Sequence, residues 1–128
     1  MIVRLTIVLL CGIGLYASAF MARKASRAAR GLLDTPSVVQ TSRARVIGGV
    51  SNAAIGFGYY AGLALAAPFL ALPAVFWLAF GAAAAAAAFS AFLAYSLLFV
   101  TRMPCPYCWT GHAVNWTLLA LLFFARPA

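Results

Sequence analysis

No Asp, Glu, Lys or Arg stands between Arg4 and Arg23, between Arg45 and Arg102, or between Arg102 and Arg126. A hydrocarbon core about 30 Å thick is crossed by roughly 20 helical residues, and each of these intervals holds an apolar stretch of that order. Lipid offers the backbone no hydrogen-bond partners, so a crossing segment closes its own bonds as a helix. The sequence therefore predicts an all-α, polytopic membrane protein: one four-transmembrane-helix bundle over residues 1–128. The helices are expected at about 2–20, 46–67, 74–100 and 106–125, with a polar connection at 21–45. Composition agrees, since 8% of residues are charged against roughly 25% in soluble domains.

The nine Lys and Arg give a net charge of +8 with a single acid, Asp34. They lie in the connections rather than among aromatics on a soluble face, so their expected partner is the lipid bilayer and not nucleic acid. Within the long connection, "ARKASRAARGLL" has the spacing of a short interfacial helix. "DTPS" reads as a turn or helix start, with Asp34 or Thr35 as cap and Pro36 near the first turn. The first segment lacks a small-residue cleavage site and is expected to be a retained helix. Gly58 and Gly62 form a G-x-x-x-G, with Gly56 nearby, through which a neighbouring helix is expected to approach closely. The run "GAAAAAAAFSA" reads as a small-residue packing face.

The chemistry concentrates in "RMPCPYCWTGHAVNW". Pro106 suits the first helical position, which puts Cys105 at the N-cap and Cys108 in the first turn. First-turn N–H groups lack intrahelical partners and the helix end is positive, so a thiolate there is stabilised. C-x-x-C spacing suits a disulfide that opens and closes. Two other readings stand beside the redox pair. The thiols are small packing residues, or they ligate a metal with His112, a poor tetrahedral set with no further thiol or second His nearby. Covalent haem attachment needs C-x-x-C-H and is excluded by Trp109. Cys11, midway along the first segment, reads as a buried packing residue.

"CPYCWTGHAVNW" resembles the redox helix of the vitamin K epoxide reductase family, and "RVIGGVSNAAIGFGYY" resembles that family's entry to its second helix, matched at Asn52, Gly56 and Tyr60. The resemblance implies a four-helix membrane thiol oxidoreductase coupled to a quinone of ubiquinone or menaquinone type. It implies that Cys108 faces the quinone ring and that Cys105 exchanges disulfides with a thioredoxin-fold thiol protein. Asn52 and His112 would hydrogen-bond the quinone carbonyls, Asn115 would support the site, and Tyr60 would line it. A flat, apolar ring with polar oxygens wants aromatic walls and a few donors. Tyr59, Tyr60, Tyr107, Trp109 and Trp116 fit as walls and equally as anchors at the membrane surface.

The resemblance breaks in the first connection. Family members carry two more cysteines there, which relay electrons to the helix-four pair; "MARKASRAARGLLDTPSVVQTSRAR" holds none. Either a soluble thiol protein reduces Cys105–Cys108 directly, or the chain is a catalytically reduced relative serving as a structural or assembly subunit among other membrane subunits. Sidedness is divided too. Seven Lys and Arg (six in the connection, plus Arg102) share the cysteine side against Arg4 and Arg126, which favours a cytoplasmic pair. The resemblance implies a bacterial inner membrane with the pair on the exoplasmic side, and that is the expectation adopted.

Overall fold

A computed structural model describes residues 1–33, 38–45, 49–103 and 105–126. Four long helices carry the fold: α1 (Ile2–Ala29), α2 (Asn52–Ala66), α3 (Pro73–Ser96) and α4 (Pro106–Phe124). Short 3-10 turns at Val38–Gln40 and Ser42–Arg45 lie between α1 and α2, and another, Ala67–Phe69, extends α2. Among the described residues, two helices are long and apolar enough to cross a membrane, Ile2–Ala29 and the unit Pro73–Thr101. With 15 residues, α2 is only about 22 Å long at 1.5 Å per residue.

The segment expected as a separate interfacial helix is instead the end of α1. From Leu15 to Arg30 no Gly or Pro interrupts the chain, and Ala, Arg and Lys are strong helix formers. Termination waits for Gly31, at φ +70°. Its N–H donates to the Ala28 carbonyl and that of Leu32 to Arg27, a Schellman closure that a left-handed glycine permits. The expected Asp34/Thr35 cap with Pro36 lies outside the described residues, as does the expected start of the second span at Val46. There α2 begins at Asn52 behind Ser51. At the far end of α3 a π-helical turn, Leu97–Thr101, closes through the Arg102 N–H to Leu97. Arg102 takes a left-handed conformation, φ 53°, which costs a non-glycine residue roughly 1–2 kcal/mol and turns the chain toward α4.

In the bundle α1 packs on α2 and α4, α3 packs on α4, and α2 scarcely meets α3. The core is built from Ile7 and Cys11 of α1, Tyr60 and Leu63 of α2, Phe76, Ala79 and Ala83 of α3, and Val114, Leu118 and Leu122 of α4. Cys11 is fully enclosed. Phe76, Ala79, Ala83, Ala87, Ser90 and Ala94 recur every three or four residues as the buried stripe of α3, so the alanine run does supply a packing face. Trp116 of α4 donates its indole N–H to the Ala87 carbonyl across that seam, 3.2 Å.

Close approach occurs at other glycines than the motif suggested. Among the described residues nothing lies within 4 Å of a Cβ built on Gly58 or Gly62, whose face is exposed. A Cβ on Gly14 would come within 2.6 Å of the Tyr60 ring, and one on Gly56 within 3.1 Å of Ser18 Oγ. The α1–α2 contact therefore rests on Gly14 receiving an aromatic face. Gly14→Ala and Gly58→Ala gain the same helix propensity, so their difference isolates the clash. Gly14→Ala should be less stable than Gly58→Ala by about 1–3 kcal/mol, read as a lower Tm in detergent.

Candidate redox site

Cys105 and Cys108 form a disulfide with Cα atoms 5.2 Å apart. Cys105 caps α4, its Sγ accepting the Cys108 N–H at 3.2 Å, and Pro106 follows in the first turn. The local geometry is thus the one that proline and the cap chemistry dictate. The two sulfurs have different surroundings. Cys105 is 5% exposed and packs with Met21 and Ala25 of α1, Val39 of the first 3-10 turn and Leu97. Cys108 is half-buried and lines a cavity. Between them Tyr107 stacks on Phe20 of α1, with centroids 4.1 Å apart and planes at 16°, which fastens the disulfide turn to α1.

The cavity measures about 460 Å³, within the range of small-molecule sites. It lies between α2, contributing Asn52, Gly56, Tyr59 and Tyr60, and α3, contributing Ala82, Ala86, Phe89, Ser90 and Leu93. Gly111, His112 and Asn115 of α4 and Ser18 of α1 complete it. All six residues singled out by sequence lie at this end of the bundle: Asn52, Tyr60, Cys108, His112 and Asn115 line the cavity, and Cys105 is bonded to its edge. Of the five proposed aromatic walls, Tyr59, Tyr60 and Tyr107 line it; Trp109 and Trp116 do not, and are substantially exposed. Successive helical residues diverge by about 100°, so Trp109 turns away from the face that Cys108 presents. Phe89 and Ser90, both inside the alanine-rich run, are lining residues that the sequence reading missed.

The polar groups divide into spent and unspent. The Tyr60 hydroxyl donates to Asn115 Oδ1 at 2.6 Å, with the Gly111 carbonyl 3.2 Å away. Asn115 Nδ2 donates in turn to Ser90 Oγ at 2.6 Å. This chain joins α2, α4 and α3 with Tyr60 and Ser90 both buried. By contrast His112 Nε2 and the Tyr59 hydroxyl are enclosed and have no hydrogen-bond partner among the described residues. Enclosed polar atoms without partners each cost roughly 1–3 kcal/mol; these two belong to residues that line the cavity, while the atoms themselves are closed off from it. Tyr59, Tyr107 and Phe89 give the cavity an aromatic, apolar lining, which fits the flat apolar body of a quinone.

A helical bundle holding a C-x-x-C disulfide at the edge of an apolar cavity defines a membrane thiol–disulfide oxidoreductase class. The chain belongs to the vitamin K epoxide reductase family, whose sequence pattern it matches over residues 5–123. Members of that membrane-integral family use quinones and work with thioredoxin-like partners. A comparison with curated proteins finds no match.

If the Tyr60–Asn115–Ser90 chain acts as a unit, its parts will not add. Tyr60→Phe and Ser90→Ala should each lower stability by about 1 kcal/mol, and the double variant should cost less than the sum by at least about 0.5 kcal/mol. Denaturation of the four proteins of the cycle in one detergent measures this.

Proposed function

We propose that this chain is a quinone-coupled membrane thiol–disulfide oxidoreductase in which Cys105–Cys108 is the redox couple. The observation that carries the reading is the position of Cys108: it lines the same apolar cavity as Asn52 and His112. In the first half-reaction a thiolate of a thioredoxin-fold partner attacks Cys105 Sγ. A mixed disulfide forms and Cys108 leaves as thiolate, where the α4 N-terminus stabilises it. The partner's second thiol then displaces Cys105, and the partner departs oxidised by two electrons. In the second half-reaction the Cys105–Cys108 disulfide reforms, releasing two electrons and two protons to the cavity. Asn52 and His112 would hold the quinone there, and the bound quinone supplies the sink for those electrons and protons.

All four helices cross the membrane in this reading, α2 with the help of its 3-10 extension, and the disulfide faces the exoplasmic side of a bacterial inner membrane. The first connection holds no Cys, so the partner reduces Cys105–Cys108 without an internal relay. One observation favours a second reading: the open Gly58/Gly62 face of α2 suits close contact with another membrane subunit. In that case the chain is an assembly subunit, co-purifying stoichiometrically with a larger complex and oxidising no thiols.

The test is turnover of purified protein with a quinone and a thioredoxin-fold dithiol. Cys105→Ala and Cys108→Ala should each abolish it, and activity that survives both substitutions refutes the mechanism. Ala86→Phe, which fills the cavity without touching the disulfide, should raise the KM for quinone about tenfold or more. Labelling of intact cells with a membrane-impermeant thiol reagent after mild reduction should modify Cys105 and Cys108 from outside.

A further inference from the structure

The outward face of α1 changes chemistry as it nears the disulfide end. Helical residues turn by about 100° each, which puts Ile13, Tyr16 and Phe20 on one face with Arg23, Arg27 and Arg30. All six are exposed. The buried residues of this helix, among them Gly14, Ala17, Met21 and Ala25, stand on the other side. Arg23 lies about 200° around the helix from Met21, as Arg27 does from Ala25. The arginines therefore point sideways, away from the bundle, where the neighbour of a membrane helix is lipid.

Height agrees with this placement. Arg4 and Arg23 are separated by about 28 Å of helix, close to the roughly 30 Å of a hydrocarbon core. Half of that core is crossed by about ten helical residues, the distance from Ile13 to Arg23. The face thus follows one leaflet: apolar where acyl chains lie, cationic where phosphates lie, with Arg27 and Arg30 about one and two turns further out. Nor can the stripe be neutralised from within, since nine Lys and Arg share a single acid, Asp34.

We propose that this face of α1 seats an anionic phospholipid, its phosphate held by Arg23, Arg27 and Arg30 and its chains laid along Phe20, Tyr16 and Ile13. Guanidinium groups bind phosphate oxygens through paired N–H donors. A zwitterionic headgroup brings its own ammonium to the same three cations, so a headgroup with net negative charge is preferred. The inference needs α1 to cross the membrane and is independent of the quinone reading.

Native mass spectrometry of the full-length chain, released from nanodiscs of mixed phosphatidylglycerol and phosphatidylcholine, reads the retained lipid directly. The wild type should retain phosphatidylglycerol over phosphatidylcholine by about tenfold or more. Arg23→Gln/Arg27→Gln/Arg30→Gln should lose that preference. Glutamine is a good helix former at exposed positions, so α1 and the Tm of the variant should persist. Lys24→Gln/Arg45→Gln/Arg102→Gln removes the same charge from other positions and should leave the preference intact. Equal loss in the two triple variants overturns the seat in favour of a diffuse surface field. A wild type that prefers neither lipid overturns it too, and points instead to an acidic protein as the stripe's partner. Inorganic phosphate added before release should leave the retained lipid in place; displacement by phosphate assigns the stripe to the free anion and ends the lipid reading.

Discussion

The hydrogen-bonded line from Tyr60 through Asn115 to Ser90 is the interaction on which the rest of the structure depends. In an apolar surround no water competes for these groups, and an amide left unpaired there is costly. Each member is supplied by a different helix, α2, α4 and α3. Because α2 and α3 scarcely touch each other, α4 sets their separation through the two ends of one carboxamide. The cavity lies between α2 and α3 beside this line, and Tyr60, Asn115 and Ser90 are all among its lining residues. The Tyr60 ring completes the arrangement by wedging against Gly14, so α1 is bound into the same unit.

Much of this was legible in the sequence, and the parts that were not share a cause. Runs of uncharged residues marked the apolar segments in which the four helices stand. Pro106 and the C-x-x-C spacing placed Cys105 at a cap and Cys108 in the first turn, because these are local rules. What failed to show was azimuth. Gly58 and Gly62 have the spacing of a packing motif yet face outward, while Gly14 and Gly56 make the close contacts without forming one. Trp109 and Trp116 have the chemistry of cavity walls and stand on the wrong side of α4. A membrane helix is apolar on every face, so hydrophobic periodicity, which reports orientation in soluble helices, is nearly silent here. Ser90 is the instructive exception: a hydroxyl inside an alanine run needs a partner, and that need alone could have directed attention to Asn115.

The length of α1 is also hidden in the sequence, where the first charges mark only the end of the apolar span. Charge ends the apolar span but not the hydrogen-bond ladder, and the chain from Arg23 to Ala29 stays helical until Gly31 supplies a left-handed stop. At 28 residues, α1 is about 42 Å long and outruns a 30 Å hydrocarbon core even when tilted. Its last turns carry Arg23, Lys24 and Arg27 beside the disulfide end of the bundle. An uninterrupted helix, unlike a flexible connection, can present a packing face at a fixed height. Met21 and Ala25 use that face to cover Cys105, and Phe20 to stack on Tyr107.

That cover bears on how the disulfide is opened. Thiol–disulfide exchange depends on access to the sulfur that is attacked, and Cys105 is buried in one cluster with Met21, Ala25, Leu97 and Val39. Met21 and Ala25 belong to a helix closed by a Schellman turn, and Leu97 to a π turn continuous with α3. Val39 alone comes from a three-residue turn with no long helix behind it, and local opening of such an element is the least costly. Reaching Cys105 from the Val39 side disrupts one short turn, whereas reaching it through α1 disrupts the helix that also carries Gly14 and the Tyr60 contact. The first connection offers this sulfur no internal thiol, so the attacking thiol has to come from outside that connection.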